Sequence, residues 1–571
     1  MIPQEIAKAV TCLAALTASG AANAETRSKI RLMVFLAGTA ALSLAADSLE
    51  NWVDRFNADD EEIYTNAIPN ASAKAFLAAN VPRFTCPDME MERAYYFRWW
   101  TYRKHIRETP DGYVVTEFLP PVGWAGKHNT INCATGHHVM EGRWLRDGRY
   151  LDDYVRFMLR QGRVTGKGAY VFYPAAALLE RRQVTGDRTV AAEMFDDLVR
   201  VHDIWKKGWN VPCYPAKTPF HIGLARDGLY AMTDNYEGME YSIGGSGYRP
   251  YLNSAMYAET KALALLARER GDRRAEAFEH EADMLAKGIV GRLWNPSRAF
   301  FTVVATNGEH KTVRELIGYT PWTFGVPVPK SCDIAFRRLL ETDGFLAPYG
   351  LTMPEQSDPD FRLAYKGHEC LWDGPVWPYA TSLALTGLLN RLHQGHDIPG
   401  VTPADFAMLL GRYASAQKRV LPDGRCVSWI DENQNPYSGD WISRSVILLQ
   451  RMRFPRERGK DYNHSTFCDL VITGLVGLVP SDGDELVVDP LISPEWRWFA
   501  LTNVRYHRHD VSIYWDADGT TYGKGAGLSV FVDGRLAARS NRICRLSASW
   551  LGTVHNEANL PLGAFHVGYN R

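Results

Sequence analysis

The chain has 571 residues, a formal net charge of −1 and 46% hydrophobic residues. That much apolar sequence builds a large core and excludes a disordered chain. The 64 Lys and Arg balance the 65 Asp and Glu, so no overall field draws nucleic acid or an acidic membrane.

Residues 1–46 read as a targeting segment. Ala22-Asn23-Ala24 offers one small-residue cleavage site, and Lys29 and Arg31 precede a second, stronger signal, the apolar run from Leu32 to Ala46. Fifteen residues are too few for a membrane span and suit a signal core. An N-terminal anchor is the alternative reading. Export to the periplasm or the exterior is expected, with no membrane span in the mature chain.

From about residue 88 to 478 the apolar spacing is helical, with no βαβ alternation. Leu252, Ala255, Met256, Leu263, Leu266 and Ala267 keep one apolar stripe at helical spacing, and further helices are expected near 88–106, 133–146, 150–161, 170–184, 189–206, 273–293, 320–325, 331–341, 376–392, 402–418, 441–453 and 464–478. Short links carrying Gly148, Gly186, Gly271 and Gly395 alternate with long links at about 107–132, 162–169, 207–249, 294–319, 342–375 and 419–440. Helices that run up and down would gather all long links at one end. Six such links predict six helical hairpins in an (α/α)6 barrel within residues 47–483. The parity depends on the short helix at 320–325. After residue 484 the period changes to two, in Glu485–Val488, Val511–Trp515 and Leu528–Val532, with Asp533-Gly534 as a hairpin turn. Residues 484–571 are therefore expected to form a small β-sheet module.

The nine Cys are scattered, with no C-x-x-C pair, so no zinc or redox motif is expected. His137 and His138 are adjacent and point to different sides of a helix, so they do not share a metal. No cofactor is expected, and the sequence leaves a structural calcium open. The 17 Trp fit a large core and a sugar-stacking site equally well.

The long links hold the carboxylates Glu117, Asp227, Asp234, Glu237, Glu240, Glu315, Glu369, Asp373, Asp431 and Glu432. Asp234 lies between Met232 and Tyr236, where apolar neighbours would keep a carboxyl protonated as a general acid. An Asx turn is its bland alternative. Glu432 follows Trp429 and precedes the turn Asn435-Pro436-Tyr437-Ser438-Gly439, which would fix it; a surface acid is its alternative. Trp372-Asp373-Gly374-Pro375-Val376-Trp377 places two indoles in one turn, favouring a sugar platform over core.

These three patches, in this order, resemble glycoside hydrolase family 63 and related (α/α)6 glycosidases, including bacterial α-glucosidases and mannosylglycerate hydrolases. Asp234 followed by Leu252-Asn253-Ser254 resembles the acid Asp and its inner helix. Trp372-Asp373-Gly374-Pro375-Val376-Trp377 resembles a Trp-Arg-Gly-Pro-Val-Trp segment, with Asp373 in place of Arg. Glu432-Asn433-Gln434-Asn435-Pro436-Tyr437-Ser438-Gly439 is similar to the segment of the base Glu and is the most specific of the three. The resemblance implies an inverting, exo-acting α-glycosidase, with Asp234 as acid and Glu432 as base acting on a water between them. The pocket wall would come from Trp124, Trp322, Trp372 and Trp377, with Tyr236 and Glu237 beside the acid. Lys366, Glu369, Asp373 and Asn435 are polar candidates for the sugar, and Arg143 and His138 are secondary ones. Glu237, Glu240, Glu369 and Asp373 are the carboxylates next in line for catalysis. The partner is an oligosaccharide or small glycoside, not a nucleic acid; the sugar and the oligomeric state are not specified. A polysaccharide lyase on an (α/α) toroid and a catalytically inactive carbohydrate-binding protein are the competing readings.

Overall fold

The computed structural model describes residues 48–213, 218–364, 368, 370–449 and 457–549. Residues 1–46, which the sequence reads as a targeting segment, lie outside these residues, as do Lys366 and Glu369.

Among the described residues, six inner and six outer helical segments make two concentric rings. The inner ring runs Thr135–Gly142, Pro174–Thr185, Pro250–Arg270, Thr320–Thr323, Pro378–His393 and Cys468–Leu470, the last continued by the π turn Val471–Leu475. Each packs on the next, and the sixth packs back on the first. The outer segments are Met89–Lys104, Arg149–Arg160, Phe195–Lys207, Ala275–Gly288, the 3-10 segment Lys330–Leu339 and Pro403–Ala416. Outer and inner segments alternate along the chain, as the (α/α)6 barrel requires. The short fourth inner helix supplies the parity that the loop pattern demanded.

Side-chain chemistry sorts the two rings. Pro378–His393 is buried on nearly every side, as a helix in the middle of a large protein must be. Arg149–Arg160 buries Leu151, Tyr154, Val155, Met158 and Leu159 on one stripe. It turns Arg156 and Arg160 outward onto Glu193, at the end of the short helix Thr189–Glu193, and Asp197 of the next outer segment. Four inner helices carry proline in their first turn, Pro174, Pro250, Pro321 and Pro378, where the missing N–H costs nothing. Gly186, Gly271 and Gly395 end their helices at φ near +68°, +68° and +69°, which makes the short links tight. Gly148 differs: it stands before Arg149–Arg160 in right-handed geometry.

The ring is closed by one side chain. Glu141, on the first inner helix, accepts hydrogen bonds from the backbone N–H of Phe467 (3.1 Å), Cys468 (2.9 Å) and Asp469 (2.9 Å), which open the sixth. Asp469 returns the contact by accepting from Arg143 Nε (2.8 Å) and Trp144 Nε1 (2.6 Å). Orphan N–H groups at a helix start are thereby satisfied across the seam.

A five-stranded antiparallel sheet lies on the barrel, in the order Arg83–Thr85, Trp498–Tyr506, His509–Asp516, Gly527–Val532, Arg535–Ser540. Its first strand precedes the barrel in sequence and pairs Arg83 with Thr502. Asp533 and Gly534 both have positive φ and turn the last hairpin, the two-residue geometry that matches strand twist. The loop before the third inner helix holds a second sheet, Trp209–Cys213, Thr218–Leu224, Tyr230–Met232 and Gly247–Tyr248. No described helix is long and apolar enough to cross a membrane.

Replacing Glu141 with Ala strands three buried N–H groups at the seam. The expected cost is about 3 kcal/mol, read as a lower midpoint in urea unfolding, with Glu141→Gln losing less.

Candidate functional site

All six long connections run from an outer to an inner helix, so they gather at the N-terminal ends of the inner helices. Two of them bring the principal carboxylates together.

The connection before Ile442–Leu449 presents Glu432, which is 1% exposed. Arg458 grips it with two hydrogen bonds, Nη1 to Oε1 at 2.9 Å and Nη2 to Oε2 at 3.1 Å. Its neighbour Asp431 accepts from the Glu432 N–H (3.0 Å), the Ser443 hydroxyl (2.9 Å) and Arg444 (3.0 and 3.2 Å). Gln434 exchanges backbone hydrogen bonds with Val376, which joins this loop to the tryptophan segment. The Asn435 side-chain oxygen accepts from the N–H groups of Tyr437 (2.9 Å) and Ser438 (3.2 Å). Asn435 thus forms the turn foreseen in the sequence, and that oxygen is not turned to a ligand.

The connection before Pro250–Arg270 presents Asp234 and Glu240. Asp234 opens the one-turn helix Asp234–Glu237, capped by the Thr233 hydroxyl, and is partly exposed. Glu240 follows, partly exposed to solvent but closely surrounded by protein. Burial pushes its carboxyl up to about 8, and the nearby charges of Asp234, Glu432 and Glu117 push the same way. The loop is pinned from below. Glu237 is fully buried in an ion pair with Arg249 and accepts from the Leu252 N–H at 3.2 Å. Arg249 also donates to Ser242 Oγ (3.2 Å), whose hydroxyl donates to Glu315 (2.6 Å). Gly244 has to be glycine: a Cβ there would lie 2.5 Å from a Glu315 carboxylate oxygen.

A third buried carboxyl, Glu117, comes from the first long connection. Burial pushes it up to about 8; the Tyr462 hydroxyl, which donates to it, opposes this, and the charge of Glu432 adds to it. Two thiols border these acids: Cys133 Sγ is 3.9 Å from Glu117 and Cys370 Sγ is 3.8 Å from Glu432. Trp124 is partly exposed, packs edge-on to Phe118 at 5.6 Å and flanks the Arg458 guanidinium at 5.6 Å. Tyr236 is partly exposed beside Asp234. Among the described residues no three His, Cys, Asp or Glu side chains converge as a metal site.

Several residues expected at the site are placed elsewhere. Trp322 is 4% exposed and packs among Phe301, Phe336 and Tyr319 in the core, with its N–H on Asp333. Trp372 and Trp377 stack on each other, with centroids 3.8 Å apart and planes within 9°, and both are buried. The pair forms a wall rather than an open platform, and the Trp372 backbone N–H donates to the Glu240 carbonyl at 3.1 Å, tying the wall to the cleft loop. Asp373 is 1% exposed, its carbonyl bound by the Arg362 N–H (2.7 Å). Glu237 is the buttress described above and has no surface to offer a sugar. Arg143 belongs to the seam and also pairs with Glu180 at 2.8 Å. His138 is held between the Tyr154 hydroxyl (2.9 Å) and the Asn463 carbonyl (2.5 Å), and burial pushes its pKa down to about 4.

Glu117, Arg458 and Tyr462 carried no role in the sequence reading. Glu117 was one loop carboxylate among ten, and Arg458 and Tyr462 fall after the Glu432 loop, where nothing in their local pattern sets them apart.

An (α/α)6 barrel with carboxylates gathered at one rim is an arrangement that glycoside hydrolases use. Residues 127–465 match the mannosylglycerate hydrolase MGH1-like glycoside hydrolase domain, and residues 480–538 match the C-terminal domain of glycosyl hydrolase family 65. The first match spans more than half of the chain, which therefore belongs to the MGH1-like glycoside hydrolase family. A solved structure named a sialidase is 36% identical over 88% of this chain, with a TM-score of 0.78. This chain covers 44% of that one, so it spans less than half the length of that relative. The family 63 mannosylglycerate hydrolase of Thermus thermophilus in complex with glucose matches 62% of this chain and 99% of its own, at 13% identity and a TM-score of 0.43.

Glu117 and Glu240 keep their protons in the folded chain up to about pH 8, whereas an unfolded Glu loses its proton near about 4.5. The folded state therefore binds more protons in that window, and their contribution to stability falls as pH rises from about 5 to 8. Urea midpoints measured at those two pH values should show less of this fall in Glu240→Gln and Glu117→Gln than in the wild type.

Proposed function

We propose that the chain is an exo-acting glycoside hydrolase that cleaves an α-linked oligosaccharide or small glycoside with inversion. One observation carries the reading: two rim carboxyls that sense each other's charge sit in opposite environments. Glu240, partly exposed but surrounded by protein, has no cation among its principal influences and holds its proton up to about pH 8. Glu432 is gripped by Arg458 through both oxygens. Environments that separate two carboxyls in this way assign an acid and a base.

In this mechanism Glu240 protonates the glycosidic oxygen as the bond breaks. Glu432 takes a proton from the water that attacks the anomeric carbon from the opposite face. The assignment moves the acid from Asp234 to Glu240, six residues on in the same loop. Asp234 remains beside it as a charge that resists the deprotonation of Glu240. Arg458 orients the base, and Tyr462 and Glu117 fill the space behind. The wall of Trp372 and Trp377 with Trp124 excludes water from the cleft. A lyase would need a cation to neutralise a uronate; the Arg458 guanidinium already has both terminal nitrogens on Glu432. Export through the segment at 1–46 is part of this proposal, and N-terminal sequencing of secreted material should begin after residue 24 or near residue 47.

Glu432→Gln should lower kcat by about 10²–10⁴-fold on every substrate. Glu240→Gln should cost as much on sugars with poor leaving groups and far less on aryl glycosides whose leaving group needs no proton. Activity should fall on the alkaline side as pH passes about 8, where Glu240 loses the proton it donates; in Glu240→Gln that limb should vanish. Proton NMR of the first product from an α-linked substrate should show the β-anomer. A retained α-anomer rejects the inverting mechanism. Asp234→Asn showing the leaving-group dependence instead of Glu240→Gln returns the acid to Asp234.

A further inference from the structure

A groove of about 200 Å³ opens between the start of the strand Lys418–Val420, the turn at Ser438–Asp440 and the start of the helix Ile442–Leu449. Three cations line it. Two are committed: Lys418 pairs with Glu90 at 2.7 Å, and the buried Arg444 holds Asp431 through two nitrogens. Arg419 is not. Its guanidinium lies over the Trp429 ring at 4.6 Å, and among the described residues no carboxylate or carbonyl accepts from it. Burial and the nearby Arg444 disfavour its charge, while the charges of Glu457 and Asp431 favour it without accepting a hydrogen bond from it. A half-buried guanidinium stacked on an indole presents its donor edge to a planar oxyanion.

The opposite wall narrows the class of ligand. Asp440 is an exposed carboxylate that accepts from the Ser438 hydroxyl at 2.8 Å. It repels a doubly charged phosphate or sulfate but accepts from alcohols. A groove with one uncommitted cation and one acceptor carboxylate suits a ligand with a single carboxylate and several hydroxyls.

We propose that this groove binds an acidic sugar unit, with Arg419 taking the carboxylate and Asp440 and Ser438 the hydroxyls. It is separate from the cleft of Glu240 and Glu432 and does not depend on the hydrolase reading. Arg444 lines the groove and also holds Asp431 next to Glu432, so occupancy reaches the rim loop through one side chain.

Calorimetric titration at low ionic strength tests this, with sodium glucuronate, sodium acetate and glucose as probes. Glucuronate should bind at one site per chain, about fivefold or more tighter than acetate, and weaken as salt is raised. Glucose should bind at least that much more weakly than glucuronate. Arg419→Gln should weaken glucuronate by about fivefold or more while the melting temperature is unchanged. Asp440→Asn serves where Arg419→Gln fails to fold: it removes the same repulsion for both anions but a hydroxyl acceptor for glucuronate alone, so the preference for glucuronate over acetate should shrink. Equal glucuronate affinity in wild type and Arg419→Gln, or equal affinity for acetate and glucuronate, overturns the proposal.

Discussion

The contact between Glu141 and the N-terminus of the sixth inner helix turns a row of hairpins into a ring. Hairpins stacked side by side leave two open flanks, each with an exposed apolar face. Closing the ring covers both, but it brings together helices more than 300 residues apart in sequence, at a real cost in loop entropy. A carboxylate that accepts from three consecutive backbone N–H groups fixes both the register and the tilt of the joint. Arg143, Trp144 and Asp469 complete the seam from the other side. Once the ring is closed, the inner helices are parallel in sense and their N-terminal ends share one rim.

That rim explains why so many acids collect there. Unsatisfied N–H groups and the positive ends of the helix dipoles favour negative charge at the start of a helix. Burial opposes it. The chain settles the conflict separately for each acid. Glu237 has Arg249, Asp431 has Arg444 and Glu432 has Arg458. Glu355 binds three arginines, Arg298, Arg314 and Arg338, at the end of another long connection. The acids that receive a cation hold the loops in place. Glu240 and Glu117 do not receive one in the same way and keep their protons instead.

The sequence disclosed the barrel because its signals are local and repeated. Apolar periodicity and glycine at the short turns each act within a few residues, and the alternation of short and long links repeats around the ring. The strand Arg83–Thr85 went unforeseen because three residues carry no period and their pairing partner lies across the whole barrel. The sheet inside the 207–249 connection was hidden for a similar reason, since its strands are short and interrupted by turns. At the rim, the Asn435–Gly439 turn and the tryptophan segment were legible as motifs. The roles of individual side chains were not. Trp322 and Glu237 carry the residue types of a sugar site, yet packing against Phe336 and pairing with Arg249 decide their use.

Asp234 and Glu240 show where sequence reasoning reaches its limit. Both acids stand in the same loop, among the same aromatic and glycine residues, and are partly exposed, and an apolar neighbour such as Met232 argued for Asp234 as the acid. Composition cannot say what surrounds each carboxyl. The one-turn helix Asp234–Glu237 sets that outcome: it leaves Asp234 at its open end and buries Glu237 against Arg249. The chain then turns through Gly238, at φ +84°, and the Glu240 carbonyl is fixed by the Trp372 backbone N–H. With its backbone held to the tryptophan wall and the charges of Asp234, Glu432 and Glu117 nearby, Glu240 is a rim acid on which burial and like charge act together. The proposed role as general acid rests on that combination, because a carboxyl keeps its proton at neutral pH only where its ionised form is poorly solvated and poorly paired.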